Sequence, residues 1–204
     1  MYLHINKIYK MLQNYKIPML RVLPRIKSKY VNFDYLAWQH IKSKGKQKGS
    51  RGYGWPSRGA RWCTRQKISS IERIKSLATF VYVGITADET HRLRVYSNNI
   101  YPLAEWGWTG QDCLNYCYSK GFTYCGIYNH FSRVSCFCCP LQSTLELHNI
   151  YIYYPEIWSR LEYMHSQILL AGANTYFKKN ITGYGDTIPE WRRRFETLLP
   201  ILRR

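Results

Sequence analysis

The sequence predicts an α/β domain with a small, mostly parallel sheet and a helical C-terminal part. Three observations lead there. Segments with helical spacing alternate with short β-branched and aromatic runs. Glycine or proline closes most of these segments. The chain's 204 residues, 46% hydrophobic and 16% aromatic, are enough for a real core. Only about three runs read as strands, near the low end for a sheet, and the chain opens inside a helix with no strand before it.

Taken in order, HINKIYKMLQNY places Ile5, Ile8, Leu12 and Tyr15 at helical spacing and predicts an amphipathic helix. IPMLRVLP, bracketed by prolines, reads as a short buried strand, and NFDYLAWQHIK as a second helix. Residues 42–61 are rich in Gly, Lys and Arg and read as a loop. TRQKISSIERIKSL returns to helical periodicity, TFVYVGIT suits a central strand ending at Gly84, and IYPLAEW reads as another strand. TGQDCLNYCYSKG has Thr109 at the capping position, Asp112 three residues on, and Gly121 as a stop. TLELHNIYIYYPEIWSRLEYMHSQ reads as one or two helices broken at Pro155, and IPEWRRRFETLL as the last helix. One domain over 1–204 is expected, in four segments: helix–strand–helix (1–41), basic loop (42–61), ligand-binding half (62–140) and helical end (141–204).

Charge is uneven. Residues 1–75 carry 18 Lys and Arg against Asp34 and Glu72, a net of +16 out of the +18 of the whole chain. Such a field attracts phosphate groups, in a nucleotide or a nucleic acid, and the aromatic residues of SRGYGWPSRGARW would favour single strands by stacking. A solvated basic segment is the alternative. The longest apolar run, SQILLAGA, is far short of a membrane span, and the charged amino terminus lacks the apolar core of a secretory signal. A reducing cytoplasm is therefore expected, where clustered cysteines serve as ligands or catalytic groups more often than as bridges.

RVSCFCCPL holds three of the chain's seven cysteines within four positions. Cys136 and Cys139 have C-x-x-C spacing, which lets two thiolates reach one ion from a tight turn, and Cys138 lies between them. Zinc and cubane iron–sulfur sites usually take four ligands, so others must come from a distance. Cys63 is the best candidate, because it opens a helix whose start carries positive partial charge. His130 is a further candidate. Spacing does not separate zinc from an iron–sulfur cluster, and a catalytic thiol at Cys138 stays open. Cys113, Cys117 and Cys125 read as small hydrophobes. There is no G-x-S-x-G, H-E-x-x-H or Walker sequence.

In this order, GYGWPSRGARWCT, YVGITADETHR, YPLAEWGWTGQDCLNYCYSKGF and YNHFSRVSCFCCPL resemble the phosphoadenosine phosphosulfate (PAPS) reductase family, and more closely its small bacterial and phage members with a cysteine cluster. The resemblance covers nearly the whole chain. It implies a Rossmann-like, adenine nucleotide α-hydrolase-like sheet, a bound ATP or sulfated adenine nucleotide, and sulfonucleotide reduction or sulfur transfer. Carried over by position, it implies nucleotide or anion ligands at Arg61, Gly84, Glu89, Arg92 and Arg133. It also implies a [4Fe–4S] cluster at Cys63, Cys136, Cys139 and Cys138. The alternative for Glu89 and Arg92 is a local ion pair; Trp55, Trp62 and Trp106 could stack on a base, but buried packing is the expectation for each.

Two departures stand out. The family's S-G-G-x-D-S phosphate loop is not in this sequence, and Thr86 stands where the family has an arginine. A late start of the chain, a loop supplied by a partner chain, or a repurposed and inactive remnant would each account for the first. An apolar sheet edge left unpaired predicts an oligomer or poor solubility. A carboxy-terminal cysteine, used by many relatives, is replaced by the ending PILRR.

Overall fold

The computed structural model describes residues 2–20, 22–26, 29–94, 98–179 and 185–202. The chain divides into two compact units, each built from two stretches: Met1–Val22 with Ser70–Gly126, and Leu23–Ser69 with Ile127–Arg204.

The first unit contains helix α1 (Tyr2–Asn14), strand β3 (Val81–Tyr82), a 3₁₀ turn at Ala87–Arg92, strand β4 (Asn99–Ile100), and helices α3 (Pro102–Glu105) and α4 (Gly110–Ser119). β3 and β4 pair in parallel, Val81 with Asn99 and Tyr82 with Ile100. The run read as a strand at IYPLAEW is instead mostly helical: Pro102 sits in the first turn of α3, where its missing N–H costs nothing. The predicted cap of α4 forms in both directions. The Asp112 amide donates to the Thr109 hydroxyl (3.2 Å) and the Thr109 amide to the Asp112 carboxylate (2.9 Å). At its other end Lys7 of α1 donates to the Lys120 and Gly121 carbonyls at 2.9 and 2.7 Å, placing a cation where helix carbonyls lack partners. Little of this unit is buried. Ile85 and Phe122 are its buried hydrophobic residues among those described, while Leu77, Phe80 and Tyr82 are exposed.

The second unit holds the main core. Strands β1 (Arg25–Ile26) and β2 (Lys29–Tyr30) form a two-residue antiparallel ladder. No strand occupies the described residues of IPMLRVLP, of which Arg21 lies outside the described set. The helix expected at NFDYLAWQHIK is shorter than its periodicity suggests and includes a π-helical turn at Tyr35–Gln39. Helix α2 (Trp62–Lys75) starts in this unit, and its residues from Ser70 onward belong to the first. Pro155 divides the next helical region in two, α5 (Thr144–Tyr153) and α6 (Pro155–Leu170). A small antiparallel ladder, β5 (Lys178–Lys179) with β6 (Gly185–Asp186), leads into α7 (Ile188–Leu202). The closing Arg203 and Arg204 lie outside the described residues. Trp158, Trp191 and Tyr151 surround Phe195 at centroid distances of 5.8, 5.5 and 5.6 Å, and Leu147, Leu161, Met164 and Ile168 fill the space between α5, α6 and α7. Aromatic packing of this kind supplies large buried area with few side-chain degrees of freedom.

Burial of two histidines is expected to make this unit sensitive to acid. Burial lowers the pKa of His165 on α6 and of His40 below the ordinary 6.5, with Glu190 partly opposing the effect at His165. Both are therefore held neutral in the fold and take up protons more readily when the chain unfolds. The stability they contribute is present above the unfolded value of 6.5 and is lost as pH falls below it. Urea midpoints are expected to decline between about pH 7.5 and about pH 5; a midpoint that stayed level or rose would contradict this.

Candidate functional site

The segment SRGYGWPSRGARW is locked to the core by two glycines. Gly52 has φ +67, and a Cβ there would lie 2.3 Å from the Ala37 carbonyl oxygen. Gly54 has φ +68, and a Cβ there would lie 2.5 Å from the Asn174 carbonyl oxygen. Only glycine allows both this conformation and so close a backbone approach. Between them Tyr53 joins a column of rings: it stacks on His40 (5.3 Å) and on Trp62 (5.7 Å), and Trp62 in turn meets Phe33 (4.8 Å). Trp55 is buried edge-on to Phe177 at 4.8 Å. Packing thus occupies Trp55 and Trp62, whereas Trp106 in the first unit is 66% exposed, contrary to the expectation of burial.

This anchored segment delivers Cys63 to the first turn of α2, in the same unit as RVSCFCCPL. The C-x-x-C turn closes through a Cys139 amide to Cys136 carbonyl hydrogen bond of 2.9 Å. Gln142 braces it by donating to the Phe137 carbonyl at 3.0 Å, and Lys178 donates to the Gln142 carbonyl at 2.6 Å. Cys136 is exposed, with the Lys67 ammonium 3.5 Å from its sulfur. Cys138 points inward and belongs to the hydrophobic core. Burial pushes its thiol up to about 12, and Cys136, Cys139 and Cys63 each lie near enough to add to the rise.

The donor set has the type and number that a tetrahedral zinc or a cubane cluster uses, with cations beside it to offset thiolate charge. Among the described residues, however, no three His, Cys, Asp or Glu side chains stand where they could hold one metal ion. His130 stacks its ring on Tyr153 at 3.9 Å. Alkylation of the metal-free native protein is expected to modify Cys136 well before Cys138, because a buried thiol with this pKa has almost no thiolate at neutral pH. Peptide mass mapping reads the order, and equal rates at the two sites would contradict the inward placement of Cys138.

Next to the C-x-x-C turn lies a cleft of about 890 Å³. Pro140, Leu141, Arg58, Arg61, Lys178 and Tyr176 are among its lining groups, and among the described residues no acidic side chain lines it. Burial pulls the pKa of Lys178 down while Cys139 and Glu146 push it back. Of the groups expected to bind anions, Arg61 is therefore in a cationic cleft. Arg133 instead faces the buried Glu146, at 3.5 Å. Glu146 also caps α5, accepting from the Ser143 amide at 2.7 Å. Gly84, Glu89 and Arg92 belong to the first unit, where Gly84 is exposed after β3 and Glu89 pairs with Arg92 across the 3₁₀ turn. Thr86 acts locally. Hydrogen bonding from Thr86 is the main influence lowering the Asp88 pKa, and Asp88 accepts from the Gly110 amide at the start of α4.

Sequence reasoning misses Arg58, Lys178 and Tyr176. The repeated Ser-Arg-Gly of 50–52 and 57–59 is a usable signal for Arg58. Lys178 is over a hundred residues away in sequence and has none. No helix among the described residues is long and apolar enough to cross a membrane. Comparison with family models, curated proteins and solved structures gives no match.

Proposed function

We propose that the chain is a PAPS-reductase-like protein of the cytoplasm that takes ATP or a sulfated adenine nucleotide in the cleft beside Cys139. The observation that carries this reading is the juxtaposition, in one unit, of a cationic cleft with Cys138 and the three thiols near enough to influence it, Cys63, Cys136 and Cys139. Arg58 and Arg61 offer planar forks that suit the oxygens of phosphate or sulfate. Lys178 adds a third charge while holding the C-x-x-C turn through Gln142. Tyr176, 60% exposed, presents a ring against which a base can lie. Cys63, Cys136, Cys138 and Cys139 would be the ligands of a [4Fe–4S] cluster in this reading, with zinc as the alternative metal. They would have to draw together to hold it, because no three of them stand within reach of one ion. When bound, such a cluster supplies redox or electrostatic assistance to sulfonucleotide reduction or sulfur transfer. The exposed Leu77, Phe80 and Tyr82 beside β3 support a second copy or a partner chain that covers them.

The test is anaerobic purification followed by iron, zinc and sulfide determination and a visible spectrum. Iron and sulfide together, with brown colour, are expected. Zinc alone would make the thiols a structural site, and protein without metal would return them to packing or thiol chemistry; either result overturns the cluster.

A further inference from the structure

We propose that the hairpin spanning residues 41–51 is a contact for the phosphate backbone of duplex nucleic acid, read by charge and not by base sequence. Composition predicts a loop over residues 42–61, but the structure orders part of them as a ribbon. Ile41 bridges Arg51 in antiparallel register. The Lys42 amide donates to the Ser50 carbonyl at 3.0 Å and the Gly49 amide to the Lys42 carbonyl at 2.8 Å. Gly45 and Gly49, with φ +79 and +85, turn the chain at the tip.

The ribbon stands on the ring column. The Gly52 amide donates to the His40 carbonyl at 2.8 Å. Lys42 folds back, 5.7 Å over the Tyr53 ring and 2.6 Å from the Gln47 side-chain oxygen. What remains pointing outward is Lys44, Lys46, Lys48 and Arg51, all exposed. Among the described residues none of the four has an acidic partner, and the sequence has no acid between Asp34 and Glu72. A pre-formed base with uncompensated charge loses little ordering entropy on meeting a polyanion.

Two features choose the partner. Residues 42–50 contain no apolar side chain to enter a bilayer, and the ribbon's single apolar residue, Ile41, is 56% exposed at its base, too little for a membrane-surface element. The rings of the adjoining segment, which a single strand on the ribbon would use for stacking, are already engaged: Trp55 is buried, and Tyr53 and Trp62 are stacked within the column, while the exposed ring of Tyr176 belongs to the cleft. This removes the reason to expect a preference for single strands and leaves phosphates as the groups contacted. A duplex offers about one phosphate per 1.7 Å of axis, about twice the density of a single strand.

The test uses the full chain and a labelled mixed-sequence DNA duplex of about 20 base pairs, titrated between about 50 and 200 mM salt. Four phosphate contacts predict a log–log salt slope near −3.6, or about a hundredfold weaker binding across that range. The variant Lys44→Gln/Lys46→Gln/Lys48→Gln is expected to flatten the slope by about 2.7 and to weaken binding equally for unrelated duplex sequences. Near-UV circular dichroism from the tryptophans checks that the variant keeps its fold, and Arg51→Gln gives an independent second reading, flattening the slope by about 0.9. An unchanged slope in the triple variant would overturn the proposal. So would tighter binding to the single strand than to the duplex, or binding to phosphatidylserine vesicles without binding to DNA.

Discussion

Gly54→Ala is expected to destabilise the protein by about 2–5 kcal/mol, the sum of a left-handed backbone forced on an L-residue and an overpacked contact. The new Cβ would lie 2.5 Å from the Asn174 carbonyl oxygen and 2.9 Å from its amide nitrogen, with φ at +68. Both atoms are backbone, so no side-chain rotation relieves the clash, and one of the two chain segments must move. The movement would also cost the 3.3 Å hydrogen bond from the Trp55 amide to the Asn174 carbonyl. Against a typical folding stability of about 5–15 kcal/mol, this is enough to lower the thermal midpoint by about 5–15 °C. Gly45→Ala is the control. It has φ +79 but open space around the added Cβ, so it feels backbone strain alone, about 1–2 kcal/mol. Urea unfolding of the two variants measures the difference. If both lost the same small amount, the close approach of residues 54 and 174 would not be a feature of the fold in solution. Because Asn174 lines the cleft with Arg58 and Arg61, Gly54→Ala should also weaken whatever the cleft binds.

The parts of this fold that the sequence reveals are those governed by local chemistry. Thr109 and Asp112 announce the start of α4 because each can satisfy the other's backbone amide. Pro155 splits α5 from α6 because its nitrogen has no proton to give. Cys63, which the sequence offers as the distant thiol because it opens a helix, does lie near enough to Cys138 to influence it. Less legible are features set by neighbours far away in sequence. The strands span only two residues each, too short for a period-2 pattern to show. Arg133 reads as available until α5 places Glu146 against it, although Ser143-x-x-Glu146 is itself a visible capping signal. The cleft escapes a reading of the sequence because Lys178 and Arg61 meet only through tertiary packing.

Arg61→Glu is expected to weaken ATP binding at the cleft by at least tenfold, and Arg58→Glu/Arg61→Glu by several hundredfold. Each charge-assisted hydrogen bond to phosphate is worth about 1.5–3 kcal/mol, and reversal adds repulsion to the loss. Both arginines are exposed and among the described residues neither has an ion-pair partner, so the substitutions should leave the urea midpoint nearly unchanged. Lys178→Gln should behave differently. Its ammonium holds the Gln142 carbonyl at 2.6 Å and lies near enough to Cys139 to be influenced by it, so its removal loosens the C-x-x-C turn as well as the anion site. The expected pattern is therefore affinity lost without stability for the arginines, and both lost together for the lysine. Isothermal titration with ATP and parallel urea melts separate the two. The hairpin variant Lys44→Gln/Lys46→Gln/Lys48→Gln should retain ATP affinity within about twofold, since its cations are outside the cleft lining and exposed charges are screened over roughly a Debye length. If the hairpin variant lost ATP binding while Arg58→Glu/Arg61→Glu kept it, the anion site would lie on the ribbon, and the cleft beside Cys139 would not be where the nucleotide binds.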